Sequence, residues 1–160
     1  MDILVMPRVG NEDLLSRQKV AFLAPGHIAS RTILPTLKWA AMMARQEDVA
    51  VVSGFSSCME LEVLPFLLRG RCGVVWLLGR RLYKQLPTLW QQPLADGRVL
   101  MVATSEQGRQ TKKTAWERNV LACEVASRVV LPCIPPDGSS LRGLYEMQRD
   151  KGRLEILANT

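Results

Sequence analysis

Three short stretches of this sequence combine glycine with serine where apolar runs give way to helix signals, and the first adds a histidine and an arginine. Pro25-Gly26-His27, with Ser30-Arg31 just beyond, closes the run at residues 20–24. Ser53-Gly54-Phe55-Ser56-Ser57 closes the run at 49–52, and Asp137-Gly138-Ser139-Ser140 follows the run at 129–131. Amides at a helix start lack intrahelical acceptors, glycine lets a ligand approach the backbone, and hydroxyls add donors, so such stretches suit a phosphate. The same residues also make good helix caps, and the two roles are compatible. A basic segment holding Lys112, Lys113, Arg118 and Asn119 supplies the complementary charge. Arg118 reads either as a phosphate contact or as a surface arginine on a helix. Asn119 reads as a partner for a sugar or base edge, or as a pin for its own loop. Lys112 and Lys113 read as long-range attraction.

Other chemistries lack their residues. His27 is the only histidine, which removes any two-histidine metal site. Cys58, Cys72, Cys123 and Cys133 show no Cys-x-x-Cys spacing and sit among apolar or small residues, so they read as reduced, mostly buried thiols. No metal and no cofactor is expected.

The elements that must position these residues alternate. Apolar runs at 20–24, 49–52, 74–78, Val99–Ala103 and 129–131 predict buried strands, with a last strand at 154–157. Helical spacing covers 32–46, 57–68, part of 82–94, 114–125 and 141–150. Ser57-Cys58-Met59-Glu60 matches a capping box, and Thr114-Ala115-Trp116-Glu117 matches a second. Residues 104–113 lack periodicity and read as a loop. Pro65 must bend its helix or sit in a first turn. Near-continuous apolar strands separated by helices predict a mostly parallel sheet buried on both faces, hence a three-layer α/β sandwich of the Rossmann type. Ligands of such sheets bind beyond the carboxyl ends of the strands, where all three polar stretches fall. Residues 1–160 read as one domain, with residues 1–16 as an N-terminal appendage.

Composition bounds the function further. Of 160 residues, 48% are hydrophobic and 22% charged, which excludes disorder, collagen and coiled coil. No apolar run approaches the roughly 18 residues of a membrane span, and the N-terminus lacks the pattern of a signal peptide, so a cytoplasmic protein without a membrane partner is expected. Net charge is +6. Ten Lys and Arg face three acids between Arg69 and Arg118, while the remainder carries eleven bases against twelve acids. The whole positive excess therefore lies in the middle third, which favours a polyanionic partner. Of the four tryptophans, Trp116 beside Arg118 is the one placed to stack on a base.

The order of these pieces resembles the Rossmann-like domain of the DNA-processing protein A (DprA/Smf) family, within the superfamily that includes the LOG-type phosphoribohydrolases. Residues 9–15 followed by Val20-Ala21-Phe22-Leu23 are similar to that family's approach to its first strand. Val51-Val52-Ser53-Gly54-Phe55-Ser56-Ser57-Cys58-Met59-Glu60 is similar to its Val-Val-Ser-Gly-x-Ala-x-Gly-Ile-Asp segment, with Cys58 and Glu60 replacing the glycine and aspartate. Arg118-Asn119 matches the start of its Arg-Asn-Arg signature, with Val120 in place of the second arginine. Gly138-Ser139-Ser140-Leu141 resembles its Ser-Gly-Ser-Leu loop. The Gly-Ser-Arg after the first strand becomes Ala24-Pro25-Gly26-His27, with Arg31 as the substitute charge. The resemblance implies a bacterial, non-enzymatic domain that binds a nucleotide or single-stranded DNA, in DNA processing or recombination. It leaves a homodimer open, and a recombinase partner follows from the resemblance alone.

A LOG-like enzyme that cuts a nucleoside monophosphate is the alternative, and a nucleotide-sensing module is a third reading. The LOG loop needs a glutamate where this chain has Arg142, which cannot serve as acid or base. Glu60 and Glu146 remain as substitutes.

Overall fold

A computed structural model describes residues 2–158. Seven strands form one sheet: β1 Arg8–Gly10, β2 Gln18–Phe22, β3 Val49–Ser53, β4 Gly73–Leu78, β5 Val99–Ala103, β6 Arg128–Leu131 and β7 Leu154–Ile156. Their spatial order is β1-β5-β4-β3-β2-β6-β7. Every pairing is parallel except β1 with β5. The α-helices are α1 Ile33–Ala44, α2 Cys58–Arg69, α3 Thr88–Ala95, α4 Lys112–Val125 and α5 Arg142–Gln148. Strand order runs outward from β2 to β5, then returns to place β6 on the other side of β2. The switch point therefore lies between β2 and β6.

Alternation along the strands builds two cores. Val20, Phe22, Val51, Val74 and Trp76 face α1, α2 and α3, where Trp39, Met43, Val63, Leu67 and Trp90 meet them. Ala21, Val52, Val75, Leu77 and Leu100 face the other way, onto Leu121 and Ala122 of α4 and Leu144 of α5. The expected three-layer sandwich with a mostly parallel sheet is the fold observed.

Two local expectations are corrected and one pair of alternatives is narrowed. First, residues 1–16 are not an appendage. β1 closes the edge of the sheet beside β5, with Val9 opposite Met101. The 3₁₀ turn Glu12–Ser16 sends Leu14, fully buried, into the second core. Gly10 sits at φ 122°, and a Cβ there would lie 2.3 Å from the Val99 carbonyl oxygen, so only glycine fits this corner. Second, α4 starts at Lys112, not Thr114. Thr111 N–H donates to Thr114 Oγ1 at 2.8 Å and Thr114 N–H donates to Thr111 Oγ1 at 3.1 Å. A threonine thus fills the third box position where glutamate or glutamine is usual, and the Thr-x-x-Glu pattern points three residues too late. Of the two alternatives for Pro65, the first-turn position is excluded, since it lies in the interior of α2.

Candidate phosphate-binding cleft

The carboxyl ends of β2, β3, β4 and β6 open onto one cleft. At the switch point, Pro25, Gly26 and His27 after β2 face Gly138, Ser139 and Ser140 after β6. Deeper in, Gly26, Ser56, Ser57, Arg118, Asn119 and Ser140 line a shared cavity. A wider compartment of about 490 Å³ continues past Ser139 and Ser140 to Thr111, Lys112 and Trp116. Segments more than a hundred residues apart in sequence thus meet at one edge. Arg31 lies outside these linings, exposed on the 3₁₀ turn Ser30–Thr32. A cavity of about 530 Å³ between Val5–Pro7 and the segment after β5 is separate from this cleft.

Arg118 is the centre of the cleft. Carried on the second turn of α4, it is only 3% exposed. Its Nη1–H donates to Gln110 Oε1 at 2.5 Å and its Nε–H to Asn119 Oδ1 at 3.2 Å. Nη2 has no partner among the described residues, and no carboxylate forms a salt bridge with the group. Burial pushes the guanidinium below its usual pKa, while the Glu60 carboxylate nearby pulls the other way. Neutral oxygens thus hold a buried cation with a free edge toward the cleft. Asn119, also buried, uses its oxygen to orient the arginine, which leaves its amide NH₂ for other partners.

Gly54 makes room for that guanidinium. A Cβ at Gly54 would stand 2.3 Å from Arg118 Cζ and 2.4 Å from Nε. The turn that follows β3 behaves differently from the expected amide cradle. Ser53 is fully buried, and its Oγ accepts from Phe55 N–H at 3.2 Å. Ser56 and Ser57 N–H donate to Glu60 Oε1 at 3.0 and 3.2 Å, and Ala24 N–H donates to Glu60 Oε2 at 3.0 Å. The anion held by this helix start is the chain's own carboxylate. Glu60 latches the end of β2 to the start of α2, and Ser57 completes the capping box by accepting from Glu60 N–H.

Free donors lie on the opposite wall. Lys112 and Lys113 belong to the first turn of α4, not to a loop. Their backbone N–H groups have no acceptor among the described residues, and no acid occupies that turn. Lys113 Nζ reaches Glu117 at 4.0 Å, while Lys112 forms no ion pair among the described residues. In the facing loop, Ser139 N–H donates to Pro136 O, Leu141 N–H to Ser139 Oγ and Arg142 N–H to Ser139 O. Gly138 and Ser140 keep their amides free among the described residues. Trp116 is 37% exposed and covers Gly143, whose Cβ would meet its ring at 3.1 Å. Gln110, which no sequence signal marked, lines two of these compartments and accepts from Arg118. Its position just before the Thr111–Thr114 box was the one clue.

The carboxylates that an enzyme would use are engaged elsewhere. Glu60 accepts from three backbone amides. Glu146 receives Arg142 at 2.9 Å and Arg149 at 3.0 Å. Arg142 also donates to the Pro135 carbonyl at 2.9 Å and lies 3.5 Å from Asp137, so it clamps its loop.

No family model matches this chain, and no curated protein matches it in sequence. Solved structures do. DNA processing protein A from Helicobacter pylori, described with a single-stranded DNA binding mode, aligns at TM-score 0.72 and 20% identity, over 97% of this chain and 74% of that one. The fold is that of DNA processing protein A. The DprA of Streptococcus pneumoniae aligns at TM-score 0.65 and 14% identity, over 94% of this chain and 62% of that protein. The DprA fold therefore accounts for nearly the whole length of this chain, while the chain spans about three fifths of the S. pneumoniae protein.

Proposed function

We propose that this chain is a DprA-like domain that binds single-stranded DNA, or a nucleotide bearing the same phosphate, in the cleft at the carboxyl edge of the sheet, and does no chemistry on it. The observation that carries this reading is Arg118, a buried guanidinium without an acid partner whose Nη2 is left unbonded. A charge taken out of water is costly unless paired, and an incoming phosphate supplies the missing partner through short charge-assisted hydrogen bonds. Lys112, Lys113 and the positive end of α4 stand on one wall, and the free amides of Gly138 and Ser140 on the other. The likeness in fold to DprA of H. pylori adds support, since that protein is described with a single-stranded DNA binding mode.

Anisotropy titrations of an oligonucleotide at several salt concentrations test the reading. Each neutralised phosphate on a single strand contributes roughly 0.7 to the slope of log affinity against log salt. Replacing Lys112 and Lys113 together by Ala should flatten the slope by about 1.4 without abolishing binding. Arg118→Ala should weaken binding about 10- to 150-fold, corresponding to 1.5–3 kcal/mol for hydrogen bonds to a charged group. A mononucleotide ligand would instead show a shallow slope, indifference to the two lysines and full dependence on Arg118. No binding of either ligand at low salt would overturn the proposal.

A further inference from the structure

The cleft does not end at Arg118. On its β4–β5 side a smaller pocket of about 240 Å³ opens between the turns that follow β3 and β4 and the segment that precedes α4. Three arginines line it, Arg80, Arg109 and Arg118, and no carboxylate does. None of the three forms a salt bridge among the described residues. The nearest compensation is Glu60, on the far side of Arg118 and already held by three amides.

The wall of this pocket is stiff. Trp90 and Trp76 stack with centroids 3.9 Å apart, Trp76 stacks on Tyr83 at 5.7 Å, and the Arg80 guanidinium lies 3.9 Å above the Tyr83 ring. Trp76 Nε1–H fixes the stack by donating to the Gly54 carbonyl at 3.1 Å. Arg80 Nε–H donates to the Arg81 carbonyl at 2.9 Å, so the orientation of its fork is set from two sides. Arg109 donates no hydrogen bond among the described residues and is exposed at the rim.

We infer that this pocket receives a terminal phosphate monoester, the end group of the nucleotide or DNA strand lying in the cleft. The inference rests on the reading of the cleft given above for the body of that ligand. Charge selects the group. Three guanidiniums less the Glu60 carboxylate leave two positive charges, which match a phosphate monoester near its second ionisation better than a singly charged internal phosphodiester. Geometry agrees, because arginine forks pair with phosphate oxygens bidentately. Size sets the limit. Pockets for whole small molecules start at about 300 Å³, so 240 Å³ suits an end group and not a complete nucleotide. Arg118 lines both compartments, so its two sides serve the last phosphate and the chain behind it.

The test compares one oligonucleotide in three forms, with 5′-phosphate, with 3′-phosphate and with hydroxyls at both ends, against the wild type, Arg80→Ala and Arg109→Ala. One phosphorylated form should bind the wild type about tenfold tighter than the hydroxyl form. Each substitution should remove most of that gain and change the affinity for the hydroxyl form by less than about threefold, because only the end group reaches the pocket. Equal affinity for all three forms, or equal losses for every form in the variants, would overturn the inference while leaving strand binding intact. If the hydroxyl form fails to bind at all, strand binding in the cleft fails instead. Inorganic phosphate then decides the pocket: a rise in thermal midpoint over chloride of equal ionic strength, lost in Arg80→Ala and Arg109→Ala, supports it. No such rise overturns it. Circular dichroism of each variant confirms that it folds.

Discussion

Substituting Gly54 by Ala tests the construction of the site through one methyl group. Gly54 does not sit at positive φ, so alanine brings no backbone strain, and its whole effect must come from the new Cβ. That atom would lie 2.3 to 2.5 Å from three atoms of the Arg118 guanidinium, well inside van der Waals contact. The group must move, and it loses its hydrogen bonds to Gln110 and Asn119. Hydrogen bonds to a charged group are worth about 1.5–3 kcal/mol each, and water reaching the displaced group recovers part, so a net loss of about 2–4 kcal/mol is expected. In a domain of this size each kcal/mol shifts the thermal midpoint by about 2–4 °C, giving a fall of about 4–16 °C. The decisive assay is a double-mutant cycle with Arg118→Ala, read by urea unfolding. Without the guanidinium the new methyl fills vacated space, so Gly54→Ala should cost less than about 0.5 kcal/mol in that background. An equal cost in both backgrounds would show that Gly54 serves something other than Arg118, and the account of the site would fall.

Three further outcomes follow from individual residues. Leu14→Ala should cost about 2–5 kcal/mol in urea unfolding because Leu14 is fully buried, whereas Val5→Ala, 79% exposed, should stay within about 0.5 kcal/mol; similar small effects at both would restore residues 1–16 to an appendage. Burial pushes the Cys123 thiol from its ordinary 9.0 to about 11, with the positive charges of Arg153 and Lys151 opposing. A folded-state pKa above the unfolded one contributes stability that is complete below pH 9 and disappears as pH rises to 11. The stability advantage of wild type over Cys123→Ala should therefore shrink by about 2–3 kcal/mol across that window, and an unchanged difference would refute it. Lys112→Glu should raise stability by about 0.5–1.5 kcal/mol at low salt, since an acid suits the start of α4 better than a base, while weakening strand binding; a destabilised variant would contradict the helix start assigned to Thr111 and Lys112.

The strands were legible because parallel strands buried on both faces read as near-continuous apolar runs. Residues 74–78 and Val99–Ala103 needed no other signal. β1 was not legible, since its three residues hold one apolar side chain and β1 exists through pairing with β5. Arg118 and Asn119 were visible as residue types on a helix, yet nothing local separated a surface position from a buried one. Burial is imposed from elsewhere: Gln110 closes over Arg118, and Gly54 leaves the space below it. Gly54 itself read as a glycine for close backbone approach. Its partner turns out to be a side chain sixty-four positions away, and single-sequence patterns carry no information at that range.

The two helix starts that face the cleft show why local chemistry misled about which one can hold a ligand. α2 opens with Ser56 and Ser57, the better phosphate motif by residue type. Its first turn contains Glu60, however, and that carboxylate takes the exposed amides and balances the positive end of the helix. A second anion there would meet both occupied donors and a like charge. α4 opens with two lysines and a neutral threonine box, and this is the arrangement a helix normally avoids. No acid in that turn offsets its positive end, and Arg118, one turn further in, is buried without an ion pair. Each of these features is unfavourable taken alone, and the proposed anion in the cleft would relieve all of them together. On the proposed reading, the electrostatic asymmetry between the two helix starts, more than the glycines and serines of either, directs a phosphate to the α4 wall.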